Sequence, residues 1–219
     1  MITLHDITQD AELMAYVDAA NAQLAALGYT EHGRRHAGVV ARVAADILAQ
    51  LDYSETETEL ARVAGFLHDI GNLVHREAHA LSGAVIALQA LRRLGMAPAD
   101  AALVAGAIGN HEEERGVPVS AVAAAVVLAD KADVHRSRVQ NPDPAQFDIH
   151  DQVNYAATLS RVEVDAAAHL ITLRLVIDTN HASVMNYFEI FLSRMVMMRR
   201  AAEVLGCTYQ LLINDVRLS

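Results

Sequence analysis

Eleven histidines stand in this chain of 219 residues, and several fall where an apolar helical stripe runs out. The segment GFLHDIGN (Gly65–Asn72) sets His68 and Asp69 straight after Phe66 and Leu67. His36 leads the face continued by Val39, Val40, Val43, Ile47 and Leu51. His111 continues the stripe of Val104, Ala107 and Ile108, and Asp130 lies one turn after Val126 and Val127. A lone inward histidine is ordinarily a hydrogen-bonded core residue. Four stripes that each end in an imidazole or a carboxylate need another account, because a buried unpaired charge is expensive. A bound cation removes that cost. Mixed imidazole and carboxylate donors suit Fe, Mn, Zn or Co better than an all-oxygen Mg site. Neighbouring residues on a helix point about 100° apart, so His68 can face one ion while Asp69 reaches between two.

The elements that must position these groups are mainly helical. Residues 10–27 are Ala- and Leu-rich at helical spacing, and the His36 face defines a second helix. SETE (Ser54–Glu57) is a capping box that opens a third, with Leu60, Val63, Ala64 and Leu67 on one face. A fourth covers about Glu77–Leu94 and stops at Gly95. Pro98 suits the first turn of a fifth, and Pro118 is expected to start a sixth that runs to about Val134. The polar stretch Arg136–Asp148, with two prolines, then marks a boundary. A short helix around His150–Leu159 follows. RVEVD and LITLRLVID alternate as strands, with Ile171, Leu173, Leu175 and Ile177 on one face and AAAH as the turn. Ala182–Leu205 is a long helix ended by Gly206, and TYQLLIN is a last strand. The expected fold is therefore mainly α: a helical domain over residues 1–140 and a small α+β (β-β-α-β) subdomain over 150–219. Val184, Phe188, Phe191, Met195, Met198, Ala202 and Leu205 form a stripe along the long helix. Packing on the tail's own sheet is its ordinary use. The alternative is a homodimer interface, since Met185, Ile190, Leu192, Val196 and Met197 add further apolar surface.

Order, helical placement and separation together resemble a known family. HGRRHAGVVARVA, GFLHDIGN and VVLADKADV look like the first-ligand, central and last-ligand helices of the HD-domain metal-dependent phosphohydrolases, whose signature is H…HD…D. HALSGA (His79–Ala84) and IGNHEE (Ile108–Glu113) resemble the segments that supply a second metal in the binuclear branches. The resemblance implies an HD-type helical bundle holding one or two divalent transition-metal ions. His36, His68, Asp69 and Asp130 would take the first ion. Asp69 would bridge to a second, held by His79 and His111, with His75 the competitor for His79. Asn110 and RGVPVS depart from the branch with a paired histidine and a GYP motif, which argues against a cyclic-di-GMP phosphodiesterase.

The implied activity is hydrolysis of a phosphomonoester or phosphodiester of a nucleotide or small metabolite by a metal-activated hydroxide. Asp69 and Lys131 are the candidate catalytic residues, and Lys131 and Arg35 the candidate substrate-binding ones. Lys131 is the only lysine against 16 arginines, which suggests a use for a compact ammonium: on a phosphoryl oxygen or beside a ligand carboxylate. Arg34 and His32 could also line the pocket, and Glu112 and Asp133 could support the ligands or carry protons. His150, His169 and His181 read as structural or surface residues, although His150 and Asp151 form a second HD dipeptide. Two other readings compete: a non-catalytic nucleotide sensor on an HD-like fold, and a di-iron oxygenase on the same scaffold.

Composition narrows the partners. The net charge of −10 opposes a nucleic-acid polymer or an anionic membrane, while a small phosphorylated substrate, nucleotide-like in kind, can still bind where metal ions supply positive charge. The opening MITLHDITQD has neither the basic nor the apolar part of a secretory signal. Cys207 is the only cysteine, so no intrachain disulfide can form, and a cytoplasmic location is expected.

Overall fold

The computed structural model describes residues 1–219. Its helical part contains α1 (Leu4–Gln9), α2 (Ala11–Ala26), α3 (Arg34–Gln50), α4 (Glu55–Leu67), α5 (His79–Arg93), α6 (Pro98–Gly109) and α7 (Ala121–Ala132). The tail adds α8 (Ile149–Ala156), β1 (Ala157–Asp165), β2 (Leu170–Ile177), α9 (Val184–Val204), β3 (Thr208–Ile213) and β4 (Val216–Arg217). The fold is mainly α with a small C-terminal α+β unit. No helix is long and apolar enough to cross a membrane.

The middle of the bundle is α7. Its sequence AVAAAVVLADKA is buried from Val122 onward, as expected of a helix that is apolar all round. Its small side chains let α3, α4, α6, α9 and β1 all pack against it. Asp130 and Lys131, in its last turn, are thereby carried into the interior. The core is continuous from Ile7 in α1 to Ile213 in β3.

The local signals explain most boundaries. The Ser54–Glu57 capping box is present, with the Glu57 amide donating to Ser54 Oγ and the Ser54 amide to the Glu57 carboxylate. Gly95 and Gly206 follow their helices at φ +91° and +70°. Three expected boundaries move. Pro118 does not start α7; Ser120 does, because its hydroxyl accepts from the Ala123 amide and its own backbone is extended. The fourth expected helix begins at His79 rather than Glu77, because Ala78 has φ +58° and cannot sit inside a right-handed helix. The short α8 ends at Ala156, where β1 takes over the chain.

The sheet has the order β1-β2-β3-β4. An antiparallel hairpin joins β1 to β2, turning with His169 at φ +48°. α9 crosses over so that β3 lies parallel to β2, and the short β4, which the alternation did not reveal, folds back on β3. Ile171, Leu173, Leu175 and Ile177 form the buried face of β2 as expected. The α9 stripe packs on β3 and also on α7: Phe191, Met195, Met198 and Ala202 are buried, while Met185 and Leu192 face solvent.

Candidate metal centre

Five segments bring six side chains to one buried point. His36 lies in the first turn of α3. His68 caps the end of α4, and Asp69 precedes a 3₁₀ turn over Ile70–Leu73. His79 is the first residue of α5, His111 follows the end of α6, and Asp130 comes from the last turn of α7. None is more than 7% exposed.

The imidazoles are oriented from behind. His36 Nδ1 donates to Asp133 Oδ2 (2.7 Å), His68 Nδ1 to the Gly65 carbonyl (2.8 Å), His79 Nδ1 to the Arg76 carbonyl (3.0 Å) and His111 Nδ1 to the Ile108 carbonyl (2.6 Å). A proton placed on Nδ1 leaves Nε2 as the bare donor atom, the arrangement that metal-ligating histidines use. The Nε2 atoms of His36 and His68 are buried with no hydrogen-bond partner. Two buried nitrogens left without a partner at one point call for a ligand that is missing from the chain itself.

Asp69 divides the cluster in two. Its Oδ2 lies 3.1 Å from His68 Nε2 and 3.6 Å from His36 Nε2; Asp130 Oδ1 lies 3.3 Å from His36 Nε2 and 3.6 Å from His68 Nε2. Asp69 Oδ1 lies 3.4 Å from His79 Nε2 and 3.9 Å from His111 Nε2, and those two nitrogens are 3.1 Å apart. Donor atoms that share an ion at about 2.0–2.2 Å stand roughly this far from one another. His36, His68 and Asp130 can hold one ion, and His68, Asp69 and His111 form a second group of matching size. The residues therefore fit a divalent metal centre with one carboxylate facing both halves.

Electrostatics favour a cation there. Burial disfavours charge on His68, but Asp69 and Asp130 outweigh it and push this histidine up to about 10. Burial opposes ionisation of the two carboxylates too, yet His68 beside Asp69, and Lys131 with His68 beside Asp130, hold both well below the usual range. His111, buried and close to His68 and Lys131, is pushed down to about 3. The space between His68 Nε2 and the carboxylates thus demands positive charge, from a proton or from a metal.

The supporting residues were only partly visible in the sequence. Asp133 is held by Arg35 Nη2 (2.9 Å) as well as by His36, and burial of its carboxyl is outweighed by these partners, so it stays ionised. Arg35 also donates to Glu31 (2.8 Å), so its guanidinium is held between Glu31 and Asp133. Arg34 pairs with Asp18 on the surface. Lys131 Nζ contacts Asp130 Oδ2 (2.7 Å) and Glu113 Oε1 (2.9 Å), which is the ligand-carboxylate contact among its two expected uses. Asn72 donates to Asp69 Oδ1 (2.9 Å), and Glu112 lies 3.7 Å from His79. His75 is exposed and accepts from the Glu77 amide, away from the cluster that His79 joins. His169 and His181 are exposed too. Asn72, Glu113, Arg138 and Arg194 went unrecognised. A polar residue in the i+3 position after Asp69 was the one local signal available for Asn72.

Beside the centre is a cavity of about 370 Å³. His32 forms its inner wall, with its ring 5.6 Å from that of His36 and its Nδ1 donating to the Thr30 carbonyl. Burial, with Arg138 nearby, holds His32 neutral. Arg76, Arg194, Asp148, His150 and Asp151 line it together with residues 27–30, so the second HD dipeptide lies on the cavity rather than in a purely structural place.

Residues 31–135, which carry all six of these buried groups, match the HD-domain family model. HD domains are generally those of metal-dependent phosphohydrolases. The uncharacterized protein MJ1020 of Methanocaldococcus jannaschii is 29% identical over 187 residues, covering 75% of this chain and 71% of that protein.

Proposed function

We propose that the protein is a metal-dependent phosphohydrolase that cleaves a phosphomonoester or phosphodiester of a nucleotide or other small metabolite. The observation that carries this reading is Asp69, whose two oxygens face two separate groups of imidazole nitrogens. Bound divalent transition-metal ions there (Fe, Mn, Zn or Co) would acidify water and shield phosphoryl charge. His36, His68, Asp69 and Asp130 would hold one ion and Asp69, His79 and His111 the other. The chain's own contribution is to fix the donors in advance. Asp133 and three backbone carbonyls lock the imidazoles, Asn72 orients Asp69, and Lys131 offsets the charge of Asp130 without leaving its pair with Glu113.

The reading also takes a small phosphorylated partner and, with Cys207 as the only cysteine, a cytoplasmic setting. Division at 1–140 and 150–219, with the tail as a dimerisation element, draws on the exposed Met185 and Leu192 of α9. Metal analysis of the purified protein, coupled to a phosphate-release screen over nucleotides and sugar phosphates, tests it. Asp69→Asn should lose bound transition metal and at least about 10³-fold in kcat. Equal turnover by both proteins rejects the assignment, and a mixed-valent iron pair with no phosphatase activity points to oxygenase chemistry instead.

A further inference from the structure

The cavity beside the metal centre is walled by both parts of the chain. Arg76 comes from the loop before α5, whereas Asp148, Asp151 and Arg194 come from α8 and α9 or their caps. The two arginines stand in matched positions. Arg76 donates to Asn72, which donates to Asp69. Arg194 pairs through Nε with Glu113 (3.1 Å), which pairs with Lys131, which pairs with Asp130. Each guanidinium is thus tied by a short polar chain to one carboxylate of the metal centre, and each keeps N–H groups that bond to nothing else in the chain. Fixed, unfilled arginine forks are what recognition of a phosphate needs.

Asp151 supplies the second observation. It is 4% exposed, lines the cavity, and forms no salt bridge. Its neighbour Asp148 is spent on capping α8, accepting from the Asp151 amide (2.8 Å). A buried carboxylate without a cation is costly unless something donates to it. Asn141 is the side chain that donates to it, no cation pairs with it, and the cavity that Asp151 borders is where a further donor would enter.

We infer that the C-terminal unit completes the substrate pocket: Arg76 and Arg194 clamp the phosphoryl oxygens, and Asp151 accepts from a hydrogen-bond donor on the leaving group of a small phosphate ester. This rests on the phosphohydrolase reading and narrows its substrate class to esters whose alcohol carries a hydroxyl or ammonium group. A cavity of about 370 Å³ lies near the lower end for small-ligand sites, which suits a single sugar or nucleoside unit.

Three probes separate the parts: ribose 5-phosphate, O-phosphoethanolamine and p-nitrophenyl phosphate, the last without a donor on its leaving group. Asp151→Asn should raise KM about tenfold for whichever of the first two supplies the donor and leave p-nitrophenyl phosphate unchanged. Arg76→Ala and Arg194→Ala should raise KM for all three by about tenfold or more, with metal content as in the wild type. Equal effects of Asp151→Asn on all three probes, or no effect on any, overturn the leaving-group contact. Unchanged KM in both arginine variants overturns the clamp. Equilibrium titration of the metal-loaded protein with the same esters reads the pocket without turnover. If binding follows this pattern while no ester is hydrolysed, the pocket stands and the phosphohydrolase reading fails.

Discussion

Asp133 controls the metal centre without being placed to bind an ion. Its Oδ2 holds His36 Nδ1 at 2.7 Å and is itself held by Arg35. Asp133→Asn keeps the shape but weakens the acceptor, so metal affinity should fall about 10–100-fold in a chelator competition, with little change in fold. Lys131 tests a different property. It is 4% exposed and sits between Asp130 and Glu113, whose carboxyl it and Arg194 hold at about 2 against the pull of burial. Lys131→Met removes the ammonium beside the buried Asp130 and leaves Glu113 with Arg194 alone, and the metal-free protein should lose about 3–5 kcal/mol in urea denaturation. Metal binding should recover part of that loss, because a cation beside Asp130 takes the place of the lost ammonium.

The element that sets the second half of the centre is the junction between the 3₁₀ turn and α5. Gly71 passes so close to α5 that a Cβ there would lie 1.9 Å from the His79 carbonyl and 2.5 Å from the Gly83 nitrogen. Backbone, not a flexible side chain, fills that space. Gly71→Ala should cost about 3 kcal/mol or more in thermal or urea unfolding and should displace Asp69 from His79, lowering metal content as well. The approach is mutual, since a Cβ on Gly83 would lie 3.1 Å from the Gly71 nitrogen. Ala78, one residue before His79, is held at φ +58°. Ala78→Gly should stabilise the protein by a few tenths to about 1 kcal/mol in the same unfolding measurements, since an alanine in this region is strained. Helix faces were readable because apolar residues recur at the helical period. These two features were not, because neither a close backbone approach nor a left-handed alanine leaves a periodic mark.

At the scale of the molecule, α9 joins the sheet to the bundle by burying Tyr187 and Tyr209 around Met195 and Met198. Burial raises both phenols above the ordinary tyrosine value. In the unfolded chain a tyrosine ionises near 10, so above that pH the unfolded state releases protons that the folded state retains. Stability should be complete below about pH 10 and decline as pH rises above it. Urea midpoints from pH 9 to 11.5 should show the decline beginning, and Tyr209→Phe should reduce its slope with little effect at pH 7, because the phenol bonds only to sulfur. What the sequence alone determined is the helical bundle, the strand alternation and the order of the six donor residues, since each rests on local period or on residue type at the end of a stripe. Only the tertiary structure decided which groups stand behind those donors. His36 meets Asp133 across 97 residues and Arg138 reaches Glu31 across 107, and the direction of Arg35, the choice of His79 over His75 and the parallel pairing of β2 with β3 all depend on such contacts. Closure over distances that long is fixed by packing of the whole core, and no short window of the chain contains both partners.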